Sequence, residues 1–251
     1  NSAAHSPPPF PPQCASEITP RARTLPVGVG ILSLEASLAA FHNGIPTSFD
    51  VEGMGVRFDV PAAPDTPMLA ALRSAGLARI DGTFRLAAEW SERQNTISLL
   101  EASVTTRDVG GVFLAGEVAK AGKALYSTDP AEAQAALSGL TIRFVTASIR
   151  DSGLRDLLAA SIIKPDNDDP GERLAVLARI VAQTAFGTLY PSDDAGAVGA
   201  ALKRFIAEGL KSIDVTVQAK TQPGIDLIDL LDSGGNLPDV LQRLRIDVEV
   251  N

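Results

Sequence analysis

The 251-residue chain predicts an α+β fold: an antiparallel, curved β-sheet with one face covered by a helical layer. Three observations carry that expectation. Segments alternating strictly between apolar and polar residues recur along the chain, and a period of two marks a half-buried strand. The turns between the central segments are too short for the crossover that a parallel return needs. Three segments of helical period stand together at about 151–210, so helices are segregated from strands rather than interleaved with them.

Taken in order, Ile31–Leu38 and Phe49–Val60 read as strands. The second changes phase across Gly53-Met54-Gly55, where a β-bulge absorbs one extra residue. Pro61, Pro64 and Pro67 close it, and Met68–Ala75 forms a short helix stopped by Gly76. Ile80–Trp90, Thr96–Thr106 and Val112–Val118 form a meander, with turns at Ser91–Asn95 and Gly110-Gly111. Asp129-Pro130 opens a helix to Leu137, and Leu140–Ile149 is the next strand. Asp151-Ser152 caps a helix running to about Ile163, which Pro165 ends. Glu172–Leu189 and Ala195–Leu210 complete the helical block. Ser212–Lys220 and Leu244–Val250 are half-buried strands, separated by short helices at Ile225–Leu231 and Pro238–Gln242.

The organisation expected is a proline-rich tether over 1–25 and one α+β domain over 26–251. Pro7, Pro8, Pro9, Pro11 and Pro12 favour polyproline II, which a spacer at an export site or a plain tail would both use. With no initiating Met, the start reads as processed or trimmed; a mature end left by a signal peptide would place the chain in the bacterial periplasm or outside the cell. Cys14 is the one cysteine, so no intrachain disulfide forms, and Phe10–Gln13 before it lacks the apolar stretch that lipoprotein processing requires.

Hydrophobic residues make up 45% and charged residues 21%, a globular composition. The formal net charge of −8, with 16 Arg and 6 Lys scattered along the chain, gives no basic track for a nucleic acid. No apolar run reaches the roughly 18 residues of a membrane span.

Three constellations invite chemistry. Ser161 and Lys164 stand as S-x-x-K, in which an amine would take the serine proton, as in a serine hydrolase. They lie at the wrong end of their helix for its dipole to help, and no K-T-G or S-D-N partner accompanies them. Asp166, Asp168 and Asp169 form an acidic loop that could hold a cation but lacks EF-hand spacing, and capping the next helix explains it as well. His42 lies in a turn, where it could act as a lone general base, and no second histidine of the folded region joins it to build a metal site. No cofactor fingerprint is present, since Gly28-Val29-Gly30 lacks the third glycine and the following helix.

The helices over 172–210 are rich in Ala, Leu, Val and Ile, as helices lining an apolar cavity or an ordinary helix–sheet core would be. The candidate lining is Leu177, Ile180, Val181, Leu202, Phe205 and Ile206. From about Asn43 onward, the run Thr96–Val104, Gly110-Gly111, Val112–Val118, then Leu140–Ile149 feeding into Asp151-Ser152-Gly153-Leu154, resembles exported envelope proteins of α-proteobacteria. That resemblance implies an envelope component and transfers no residue roles. The expected function is a non-enzymatic periplasmic or envelope binding protein, holding an apolar lipid-like ligand between sheet and helices. A structural module binding an envelope protein is the alternative.

Overall fold

The computed structural model describes residues 29–163, 169–231 and 237–251. The strands are β1 (Val29–Gly30), β2 (Ser33–His42), β3 (Ile45–Asp59), β4 (Arg79–Ser91), β5 (Thr96–Thr106), β6 (Gly110–Ala119), β7 (Thr141–Asp151), β8 (Ser212–Ala219), β9 (Ile225–Asp226) and β10 (Leu244–Val250). The helices are α1 (Pro67–Ser74), α2 (Pro130–Ser138), α3 (Leu154–Ile162), α4 (Pro170–Leu189), α5 (Ala195–Ala207), α6 (Leu227–Leu231) and α7 (Leu237–Gln242), with a 3₁₀ turn at Lys123–Tyr126.

All ten strands join one open, antiparallel sheet. β3 to β7 lie side by side in chain order. β1 and β2 share the outer flank of β3, pairing with opposite ends of that long strand. β8 and β9 share the flank of β7 in the same way, and β10 closes the row beside β8. The fold is α+β, as the alternation and short turns predict.

Local chemistry sets the boundaries. Asn43 and Gly44 both adopt positive φ, 50° and 82°, which a two-residue hairpin between β2 and β3 requires. The register of β3 against β4 shifts between Gly53 and Val56, the bulge that the change of phase predicts. Thr66 Oγ1 accepts the Leu69 N–H at 3.3 Å, and Asp129 Oδ1 accepts the Ala131 N–H at 2.9 Å, capping α1 and α2. The Asp151 carboxylate accepts the N–H groups of Gly153 and Arg155 at 3.3 and 3.1 Å, so it serves α3 although Gly153 occupies the cap position itself.

One turn differs from expectation. Gly110 and Gly111 begin β6, and the turn is Arg107–Val109. Gly110 has φ of 127°, and a Cβ there would fall 2.0 Å from the Arg150 carbonyl oxygen. Glycine is needed for the close approach of β7 rather than for a reversal of the chain.

The four hydrophobic clusters all use the same face of the sheet. On β7, β8 and β10, Ile149, Ile213, Val215, Val248 and Val250 pack under Leu177, Ala178, Ala201, Phe205 and Ile206 of α4 and α5. Val217, Ala219 and Leu244 pack with Val240 and Leu241 of α7. At one end of β3 and β4, Phe58 and Ile80 meet Ala71 and Leu72 of α1 and Leu157 of α3. At the other end, Trp90, Ile97 and Val118 meet Ile45, Leu125 and Leu140. The opposite face is polar. There Arg85 Nη2 bonds Asp50 Oδ2 at 2.7 Å and Nη1 reaches Glu101 Oε2 at 3.3 Å, while Thr146 and Thr216 hydroxyls pair at 3.1 Å.

Candidate functional site, an uncovered apolar floor

Between those clusters the apolar face lies open. Strand pairing aligns its side chains across the sheet in rows. Leu38 of β2 lies opposite Phe49 of β3, which is opposite Ala88 of β4. Val51 faces Leu86, Leu86 faces Ala102, and Ala102 faces Leu114 of β6. In the next row Gly53 faces Phe84, Phe84 faces Val104, and Val104 faces Val112. These residues share the phase of the core positions, so a buried environment is what their alternation encodes. Yet Leu38 is 56% exposed, Val104 57%, Val112 41%, Leu86 39% and Leu114 38%.

The cause is the placement of the helices. The helical block between β7 and β8 folds back over its own neighbours, and α1 and the 3₁₀ turn reach only the two ends of the meander. The floor on β2–β6 is therefore bounded by α3–α5 along β7, by α1 at one end and by the Lys123–Tyr126 turn at the other. Its fourth side is the outer edge of β2. Five strands at about 4.8 Å spacing make it about 19 Å across.

Two details shape the floor. A Cβ on Gly53 would sit 2.2 Å from the Phe84 ring, so the missing side chain is what lets that ring lie flat across β3. At the far end Trp90 donates its indole N–H to the Ala121 carbonyl at 2.7 Å, and the Tyr126 ring packs against the indole at a tilt of 55°, with ring centroids 4.7 Å apart. Burial pushes the Tyr126 phenol above its ordinary value.

The residues that the sequence offers as a ligand lining sit elsewhere. Leu177, Phe205 and Ile206 are buried in the core cluster, and Val181 and Leu202 pack against it. Ile180 points outward, 41% exposed. The helices press directly on β7, β8 and β10, so these side chains fill the space between the layers themselves, and the open apolar surface lies beside the helices rather than beneath them. Two clefts on the helical side are open to solvent, one lined by Asp156, Ala159, Pro170 and Arg173, the other between α5 and β10.

The polar constellations separate. Ser161 Oγ donates to the Leu158 carbonyl at 2.9 Å, a bond within its own helix, and Lys164 lies outside the described residues. Asp169 caps α4, its Oδ1 accepting the Gly171 N–H at 2.9 Å, while Asp166 and Asp168 lie outside the described residues. His42 ends β2, and its Nε2 is 2.7 Å from Glu92 Oε2 on the next turn. Cys14 and the proline-rich tether also fall outside the described residues. No helix among the described residues is long and apolar enough to cross a membrane.

The floor residues themselves were readable as inward-facing, but their openness depends on where the helices pack and was not. No family model, curated protein or solved structure matches the chain.

Proposed function

We propose that the chain is a non-enzymatic binding protein of the bacterial envelope, holding the acyl chain of a lipid-like ligand on the β2–β6 floor. The observation that carries this reading is the contiguous apolar surface of Leu38, Leu86, Val104, Val112 and Leu114, exposed on a face whose flanks are fully cored. Monomeric proteins rarely leave such a patch bare without a use for it. The aligned rows are wholly aliphatic, aromatic or glycine. Protein interfaces of comparable size carry hydrogen-bonding groups, about one per 100–200 Å². A hydrocarbon chain needs none, and gains about 25 cal/mol for each Å² of apolar surface removed from water. The width of about 19 Å exceeds the roughly 15 Å depth of one leaflet of bilayer hydrocarbon. The envelope assignment rests on the proline-rich N-terminal segment and on the resemblance to exported envelope proteins.

The test is organic extraction of purified protein with mass spectrometry of the extract, followed by titration of stripped protein with a fluorescent fatty acid. Saturable binding that falls at least tenfold in Leu86→Glu and Leu114→Glu, with unchanged unfolding midpoints, supports the reading. Stripped wild-type protein that binds the probe no better than those variants overturns it.

A further inference from the structure

The sheet has two free ends, and the fold treats them differently. At β10 the edge is guarded. The Ile246 N–H donates to Asp194 Oδ2 at 2.8 Å, and α5 lies against the strand. At β2 the edge is open. Nine of its ten residues pair with β3 on one side, and no described element pairs on the other.

Long unpaired strands recruit other strands, and proteins ordinarily guard them with charge, proline or a cover. β2 reads Ser-Leu-Glu-Ala-Ser-Leu-Ala-Ala-Phe-His, with Glu35 as its sole carboxylate and no proline. Ala36, Ser37, Ala39 and Ala40 are small enough for another backbone to reach pairing distance. Leu38, 56% exposed, is the floor residue that a neighbouring strand would shelter.

We infer that the outer edge of β2 is a pairing surface for a second copy of this chain, joining two sheets antiparallel, β2 to β2, about a two-fold axis normal to the sheet. That axis keeps each apolar face on the same side, so the two floors become one. A second β2 supplies the required alternation itself: Leu34, Ala36 and Leu38 toward the floor, Glu35, Ser37 and Ala39 away from it. Same-face pairing allows a register centred on Ser37 or on Leu38. In the first Glu35 faces Ala39 of the second copy, in the second Phe41, so acid never opposes acid. Asp194 and α5 guard β10, so among the described residues β2 is the long edge offered for pairing, and growth ends at two. This inference is independent of whether the floor holds a lipid.

Sedimentation of the full chain across a wide concentration range should show a shift from one to two chain masses. Ser37→Glu combined with Ala39→Glu places like charges opposite one another in either register, since position 39 meets Glu35 in the first and position 37 in the second, and should restore the single mass with unchanged circular dichroism. In a Cys14→Ser background, single cysteines at Ala36, Ser37, Leu38 and Ala39 read the register under mild oxidation. Across a two-fold pair the central residues lie about 4.5–5.5 Å apart, within disulfide reach. Cross-linking should peak at Ser37→Cys or Leu38→Cys, at least tenfold over Glu249→Cys on β10. A monomer at every concentration, cross-links without a peak on β2, or recovery of β2 paired only to a foreign strand would each overturn the inference.

Discussion

Asp194 and Ile246 meet at 2.8 Å, a side-chain carboxylate accepting a backbone N–H of the last strand. The bond joins the first residue before α5 to a strand 52 positions later, and it removes an edge donor that another strand would otherwise use. Asp194→Ala leaves that part-buried N–H without a partner. We expect a loss of about 1–3 kcal/mol in urea unfolding, and a smaller loss for Asp194→Asn, whose amide oxygen still accepts. Equal losses in both variants would show that charge at the start of α5, not the bond to Ile246, matters.

Arg155 fastens α3 to α5. Its Nε donates to Asp151 Oδ2 at 2.8 Å, and its Nη1 donates to the Phe205 and Ile206 carbonyls at 3.2 and 3.3 Å. Both side chains are largely buried, 13% and 5% exposed. Those carbonyls belong to the last turn of α5, where a cation also complements the helix dipole. Arg155→Met strands the Asp151 carboxylate and should cost about 3–5 kcal/mol by denaturant unfolding. Arg204→Met, from the exposed Arg204–Glu208 pair on α5, is the control and should cost no more than about 0.5 kcal/mol.

The bare Cα of Gly53 and the Phe84 ring make one unit of the floor. Gly53→Ala drives a methyl into that ring, and the strain of overpacking should destabilise by about 1–3 kcal/mol. Replacing Phe84 by Leu should relieve the clash, so the double variant should lose clearly less than the two single losses together. Strict additivity in equilibrium unfolding would count against contact between the two.

The hydrogen bond from the Arg85 guanidinium holds the Asp50 carboxyl below its ordinary value of 3.8. A carboxylate depressed in the folded state adds stability above its unfolded pKa, and that stability is lost as pH falls through the lower folded value. The melting-temperature gap between wild type and Asp50→Asn should therefore be constant above about pH 5 and close in more acid solution. Salt should narrow it, since the Asp50 side chain is 34% exposed and its partner 45%. A gap that widens on acidification would contradict the assignment.

Much of the fold was legible because its signals are local. Leu86, Ala88 and Trp90 share one phase of a two-residue period, and the break at Gly53–Gly55 is the register shift seen between Gly53 and Val56. Caps such as Asp129 and Asp169 announce their helices within three residues. The ligand lining was misplaced for the complementary reason. Leu177 and Leu86 both read as inward-facing residues, but one is fully buried and the other 39% exposed.

The chain's own pattern therefore determines the strands, their antiparallel order through the meander, and which side of each strand is apolar. A period of two or 3.6 is written in neighbouring residues, and short turns leave one way to return. Tertiary structure alone decides how far α3–α5 extend over that apolar side, that Asp194 caps the Ile246 N–H of β10, and that β2 and the β2–β6 floor stay open. Each of these depends on residues tens of positions apart meeting in space, and no local period records which partners those are.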